Sequence, residues 1–594
     1  MKHILIKKIK LKKEIITTLK EKNIFKKKNK IFINLPNLYD NKKNDFYFNK
    51  RWYSSKNLIN DFTVLDKLYE KNLKNLSKIL NDFHNTNYSI RYWRIILGKW
   101  LYKIICCSYE RYISIQDVQK KYKNLFYLKY QYNFENFIPY GIEDFNYLVG
   151  THSWNEYIYS EILSLCDIKN IEVKVNKKIL DISEFEETYK RLTVKKHSFK
   201  GKVFSKILEF FSMLNRNNKY LIFDTYLNKN DEINLNYKLN NVPTIFKSPK
   251  YENILSFIKN NKFFDIRNFS IDKKYKNFDQ FISKFIIKNI PQVYLEYYSE
   301  INNLIKKSKL PKNPKVIFTT RGINRNTIMD FYIALKTQQD SKLFIAQHGG
   351  NYGQHKGHWG SKHEIKISDK FLSWENKKTS KIIPLGFIKK IDKINYNHKN
   401  RMIIFESRDR LLYSHEFKID QGAINSRQYL SKIGNFLSLI NNKEIYDNFF
   451  IKNNSKNFGW QDEVYFNKKN KKINFINPKF KTFDLIKKSK LLIYSFPSTG
   501  HLECISSNVP MLMFYFNDLD LMNKETKTYF KKFIKLGILH TKPETLYRKL
   551  VQIHKDPYSW WNLKEIQKLI KSYSLRYCRH NSDLLEDLTK IIKQ

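Results

Sequence analysis

The sequence predicts an α/β protein in which two facing domains follow a helix-rich N-terminal part, and three observations carry that expectation. From "PKVIFTT" (314–320) onward, short apolar runs rich in Ile, Val and Phe end at polar turns and alternate with helical stretches, the texture of parallel sheets covered on both faces. Before about residue 310 amphipathic helix signal dominates, and Gly and Pro are few. A polar stretch, "IKKIDKINYNHKN" (388–400), separates two groups of apolar runs. The domains are therefore expected at 1–395, with the helical extension at its start, and at 396–594.

In chain order, "SIRYWRIILGKWLYKIICCSYERY" (89–112) reads as an amphipathic helix, because Ile90, Trp93, Ile96, Leu97 and Trp100 recur at helical spacing. After "PKVIFTT" the expected strands are "KLFIAQHGG" (342–350), "RMIIFES" (401–407), "NFFIKNN" (448–454), "KINFINP" (472–478), "KLLIYSF" (490–496) and "PMLMFYF" (510–516). In open α/β sheets ligands bind at the carboxyl ends of strands. The turns after these runs are where chemistry is expected.

A chain of 594 residues with 42% hydrophobic and 16% aromatic residues is folded and large enough for more than one core. Its 109 Lys+Arg against 56 Asp+Glu give +53, which on its face suggests a nucleic-acid binder. Yet Lys, Asn, Ile, Phe and Tyr are over-used together, as in any AT-rich coding sequence. The charge is also spread in short runs such as "FKKKNK" (25–30) and "NKKNKK" (467–472), where solvated faces are expected. No nucleic-acid partner is expected; anionic substrates and contact with an anionic membrane surface fit the charge. Five cysteines without CxxC spacing point to a reducing compartment. "MKHILIKKIKLKKEII" interrupts every apolar run with lysine, and no run approaches the roughly 20 apolar residues of a membrane span. A cytoplasmic placement is expected, with peripheral contact at the inner face of the membrane.

Two polar turns stand out, one on each side of the linker. "FPSTG" (496–500) follows an apolar run and opens a short helix. Free N–H groups and the helix dipole there favour an anion, with Ser498 and Thr499 adding donors and Gly500 allowing close approach. Glu503, about one turn on, is placed to accept bonds from ribose hydroxyls. Simple N-capping by Ser498 or Thr499 explains the same residues. On the other side, His348 follows a strand and leads into a loop with Gly349, Gly350, Tyr352 and Gly353. Histidine suits general-base work at neutral pH, and the glycines leave room for a ligand; a structural role at the strand end is the alternative. His355, His358 and His363 lack a standard metal spacing, and Asp518-Leu519-Asp520 follows the last buried strand instead of preceding a donor loop. No metal is expected.

The segments "YSIRYWRIILGKWL" (88–101), "QHGGNYG" (347–353), "SFPSTGHLECISSNVPMLMFY" (495–515), "YFKKFIKLGILH" (529–540) and "DPYSWW" (556–561) together resemble a family of bacterial transferases of surface-carbohydrate biosynthesis, over nearly the whole chain. The C-terminal half is also similar to CDP-glycerol glycerophosphotransferases and capsule polysaccharide transferases: a His-Gly turn, "PLGF" before the linker, a strand ending in a basic turn, then a Ser-rich turn. The resemblance implies a GT-B-like fold of two facing Rossmann-like domains with the activated donor held mainly by the second. It implies His348 as base, Ser498 and Thr499 at the donor phosphate, and Glu503 at the donor ribose. "IIFESRDR" (403–410) and "FFIKNNSKNFGW" (449–460) depart from the glycerophosphotransferase pattern, which favours a nucleotide sugar over CDP-glycerol. Arg408, Arg410 and Lys452 are expected phosphate partners, as cations at strand ends.

The function expected is therefore transfer of a sugar, or a glycerol-phosphate-like group, from a nucleotide-activated donor to a surface-polysaccharide or other glycan or lipid-linked acceptor, with no cofactor. The alternative is a carbohydrate- or lipid-headgroup-binding protein without catalysis on the same scaffold.

Overall fold

The computed structural model describes residues 12–19, 28–35, 44–47, 51–187, 215–242, 265–268, 274–388, 401–405, 426–453, 462–470, 473–477, 479–480, 482–516 and 518–594. Among them are three β-sheets, and every strand pair is parallel.

The first sheet belongs to the N-terminal part: β1 (Lys13–Ile16), β2 (Lys30–Ile33), β3 (Asp45–Tyr47), β4 (Leu125–Gln131) and β5 (Ile171–Ile179), in the order β3-β2-β1-β4-β5. The sequence predicts mostly helix here, and these strands are not among those it suggests. β1 opens on the charged pair Lys13 and Glu14, and β5 runs along the edge with most of its residues partly or fully exposed, so neither shows the continuous apolar run of a buried parallel strand. Two long helices link β3 to β4: α1 (Ser55–His84), capped by Ser54, and α2 (Ile90–Lys121), capped by Ser89. The sequence suggests that α2 is amphipathic, yet it is buried on nearly all sides, with Trp93 and Trp100 wholly enclosed. Two of its buried cations are matched inside. Arg94 forks onto Glu70 at 2.8 and 2.7 Å, and Lys103 donates to Asn146 at 2.6 Å.

The second sheet is β6 (Tyr220–Phe223), β7 (Val316–Thr319), β8 (Lys342–Ala346), β9 (Lys370–Ser373) and β10 (Ile382–Pro384), in the order β10-β9-β8-β7-β6. One face, including Ile317, Leu343 and Ile345, shares a continuous core with α2 and the first sheet. The other, including Phe318, Phe344 and Leu372, is covered partly by the helix Leu584–Lys593 through Leu588 and Ile592. The chain thus returns to the second sheet after building the third. A division at 395/396 does not leave all later residues with the C-terminal sheet.

The third sheet is β11 (Met402–Phe405), β12 (Phe449–Lys452), β13 (Asn474–Ile476), β14 (Leu491–Tyr494), β15 (Met511–Phe514) and β16 (Leu539–His540), in the order β13-β12-β11-β14-β15-β16. Numbered from its own first strand this order is 3-2-1-4-5-6, the doubly wound arrangement that opens a crevice where the order reverses, between β11 and β14. The first sheet has a comparable reversal, but its crevice is filled from within: Thr17 and Thr18 donate to the buried carboxylate of Glu156 at 3.0 and 2.6 Å. The crevice of the third sheet faces the carboxyl ends of β7 and β8.

Candidate active site

A cavity of about 360 Å³ lies between the second and third sheets, lined by the loops that follow β7, β8 and β14 and by residues of α2. The loop after β8 brings His348, Gly349, Gly350 and Tyr352; the turn after β14 brings Ser498 and Thr499. The two turns singled out in the sequence therefore meet. The Gly350 amide donates to Thr499 Oγ1 at 2.9 Å. A methyl group at Gly350 would lie 2.5 Å from the Ser498 carbonyl carbon and 2.7 Å from the Thr499 nitrogen, so only glycine lets the two loops approach this closely.

Gln347 anchors the loop: its amide donates to Gly349 O at 2.9 Å, and its carbonyl accepts from Ser373 Oγ at 3.2 Å and Trp374 N at 3.0 Å. Beyond this anchor, the Tyr352 hydroxyl donates to Glu364 Oε2 at 2.9 Å and lies 3.2 Å from His348 Nδ1. With its proton directed to Glu364, the Tyr352 oxygen accepts from Nδ1–H. In that tautomer Nε2 is the basic nitrogen. Burial pushes His348 down to about 4, with Arg325, His358, Lys99 and Arg321 adding to the shift, so the imidazole is neutral at physiological pH. Burial pushes Glu364 up to about 8, against the bond from Tyr352 and the cations Lys99 and Arg325.

On the opposite side the helix Thr499–Ser506 starts from a reciprocal cap. Ser498 Oγ accepts from Gly500 N at 3.2 Å, and the Ser498 amide donates to His501 Nδ1 at 2.8 Å. The capping reading of Ser498 is thus realised, and the helix N-terminus still opens on the cavity through the 498–499 turn.

Other expected site residues lie elsewhere. Gly500 is needed for packing, because a methyl group there would meet the Tyr494 ring at 2.5 Å, and it is not among the residues that line the cavity. Glu503, 4% exposed, is in the interior of its helix and does not line the cavity. Lys452 is also buried outside the cavity, its Nζ donating to Asn453 O at 3.2 Å, and burial lowers its pKa. Gly353 turns with φ +66° against Glu375, away from the cavity. Arg408 and Arg410 lie outside the described residues.

The cations at the cavity come from the other side. Lys99 and Lys103 reach it from α2, and Arg321 and Arg325 from "RGINR" (321–325) after β7. The rule applied to the turns after β8 and β14 also applies to this one, and its two arginines were the available signal. Glu364 carries no local signal, since only the fold brings it beside His348. His363 bonds Asn324 at 3.0 Å and stacks on Trp359, while His358 caps the helix Trp359–Ile367. Among the described residues no group of three or more His, Cys, Asp or Glu is placed to hold a metal ion.

Two parallel α/β sheets facing each other across a cleft, with a helix-rich part ahead of them, form a GT-B-like architecture. The chain belongs to the LIC12162 family of transferases, whose family model matches residues 13–592. Solved structures similar to it include MurG of Acinetobacter baumannii, at 10% identity over 64% of this chain and 99% of that one (TM-score 0.32). The wall teichoic acid polymerase TagF matches at 12% identity over 70% and 97% of the two chains (TM-score 0.32). The S. aureus MnaA–UDP co-structure matches at 12% over 63% and 95% (TM-score 0.34). A comparison with curated proteins finds no match.

Proposed function

We propose that this transferase moves a sugar, or a glycerol-phosphate-like group, from a nucleotide-activated donor to the hydroxyl of a glycan or lipid-linked acceptor of the cell surface, with His348 as general base. The observation that carries this reading is the meeting of His348, on the second sheet, with the Ser498–Thr499 helix start, on the third, in one cavity. In the reaction His348 Nε2 takes the hydroxyl proton as the acceptor oxygen bonds to the transferred group, at the anomeric carbon of a sugar or at the phosphorus of a glycerol-phosphate-like group. The bond from that atom to the bridging phosphate oxygen breaks, and its electron pair leaves with the nucleotide. The helix N-terminus is oriented to stabilise that negative charge. Lys452 and Glu503 are not assigned to the donor, because both are buried outside the cavity.

A screen of nucleoside diphosphates and nucleotide sugars by calorimetry tests the reading: one nucleotide should bind in preference to the others. Ser498→Ala with Thr499→Ala should weaken that nucleotide by about 1–3 kcal/mol, the range for hydrogen bonds to a charged group. A protein that binds carbohydrate but shows no nucleotide preference would support the non-catalytic alternative. Metal plays no part in this scheme, so EDTA should leave turnover unchanged.

A further inference from the structure

The loop "RGINR" (321–325) is built with more care than a solvated turn requires. Thr319 Oγ1 accepts from Gly322 N at 2.9 Å, the amides of Thr320 and Arg321 donate to Asp224 O at 3.3 and 3.1 Å, and the Asn324 amide donates to the buried Asp330 at 2.8 Å. A methyl group at Gly322 would lie 2.1 Å from the Phe223 ring, so the loop passes where only glycine fits. Asn324 itself has φ +59°, a left-handed conformation kept in place by these bonds. This scaffold presents Arg321 and Arg325 to the same cavity as His348.

Both guanidinium groups lack an ion-pair partner among the described residues. Arg321 rests over the Tyr226 ring at 4.9 Å, and its Nε is buried with no hydrogen-bond partner. Arg325 is exposed. Lys99 stands at the same wall, and the acid among the described lining residues, Glu364, is engaged by Tyr352. Arg321 and Arg325 therefore bring positive charge with no ion-pair partner among the described residues, and a buried donor awaiting an acceptor, a combination that is costly unless an anion completes it.

We infer that Arg321 and Arg325, assisted by Lys99, bind a phosphoryl group, and that this group belongs to the acceptor. The assignment to the acceptor rests on the transferase reading and follows from position: these cations are on the sheet that carries His348, across the cavity from the Ser498–Thr499 helix start. The acceptor is then a phosphate-bearing glycan or lipid-linked carrier whose anionic end is held by the arginines while its hydroxyl is presented to His348.

The experiment titrates the full chain with inorganic phosphate by calorimetry at low ionic strength. Phosphate should bind, Arg321→Gln and Arg325→Ala should each weaken it about tenfold, and the double variant about a hundredfold. Ser498→Ala with Thr499→Ala should leave it unchanged. Arg325 is exposed, so Arg325→Ala retains the fold; a melting curve checks both variants. No phosphate binding, loss through the Ser498 and Thr499 changes instead, or acetate binding as tightly as phosphate would each overturn the inference. The nucleotide screen distinguishes the two possible sources of the phosphoryl group. Nucleotide affinity that falls as far as phosphate affinity in the arginine variants would put these cations under the donor and overturn the acceptor assignment. Phosphate binding through the arginines in a chain that binds no nucleotide would refute the donor reading while the anion site stands.

Discussion

His348 is the residue whose chemistry can be tested most directly. Its Nδ1 is held by Tyr352 and its charge is suppressed by burial and by the cations around it. If it is the base, His348→Ala should lose roughly 10²–10⁴ in turnover with nucleotide affinity unchanged. Turnover should rise through about pH 4 and then stay level through neutrality, because the base is already unprotonated there. Loss of nucleotide affinity and melting temperature together with turnover would instead identify a structural residue. The sequence disclosed His348 through its position between a strand and a glycine-rich loop. It hid Glu364 and the arginine loop for different reasons. Glu364 is brought to His348 only by the fold, whereas Arg321 and Arg325 follow the same kind of strand but without a histidine or serine to draw notice.

Among the elements, the cap of the helix Thr499–Ser506 depends on a neutral histidine. His501 Nδ1 accepts from the Ser498 amide, and burial pushes His501 down to about 3. Its folded pKa is below the unfolded value near 6.5, so the unfolded chain binds the extra proton between these limits. Stability from this residue is complete above about pH 6.5 and is lost as pH falls toward about 3. His501→Gln keeps an acceptor for the cap without titrating, so it should flatten the acid limb of stability against pH; an unchanged slope in denaturant titrations would remove His501 from the account. The loop it faces makes a second test. Gly350→Ala should cost about 1–3 kcal/mol and separate the two loops, read as a lower melting temperature with weaker substrate closure. Strand legibility followed the length and contrast of the apolar run more than burial: β7, β8, β11, β12, β14 and β15 stand out as apolar runs, and β13 is expected although it is only partly buried. The buried β6, β9 and β16, the partly exposed β10 and the first sheet lack that contrast.

For the whole molecule, +53 is the feature most open to misreading. Much of the described lysine is on exposed helix faces, as on Lys524–Lys535, where Lys531, Lys532 and Lys535 face solvent. Binding to arbitrary DNA or RNA should therefore fall steeply with salt and show no preferred sequence; a selective complex at physiological salt, seen by filter binding, would reverse that view. No described helix is long and apolar enough to cross a membrane. The three-sheet architecture was only partly legible, since the two C-terminal sheets announce themselves by alternation while the first is concealed behind α1 and α2. The return of Leu584–Lys593 to the second sheet has a consequence for biogenesis. That helix is made about 200 residues after β10, which at about 5–20 residues per second takes some ~10–40 s. Throughout that interval the patch around Phe318, Leu372 and Leu385 has no Leu588 or Ile592 to cover it, so the nascent chain must carry a sticky, half-finished domain while the ribosome completes another, and a chaperone arriving in that window would find its client there.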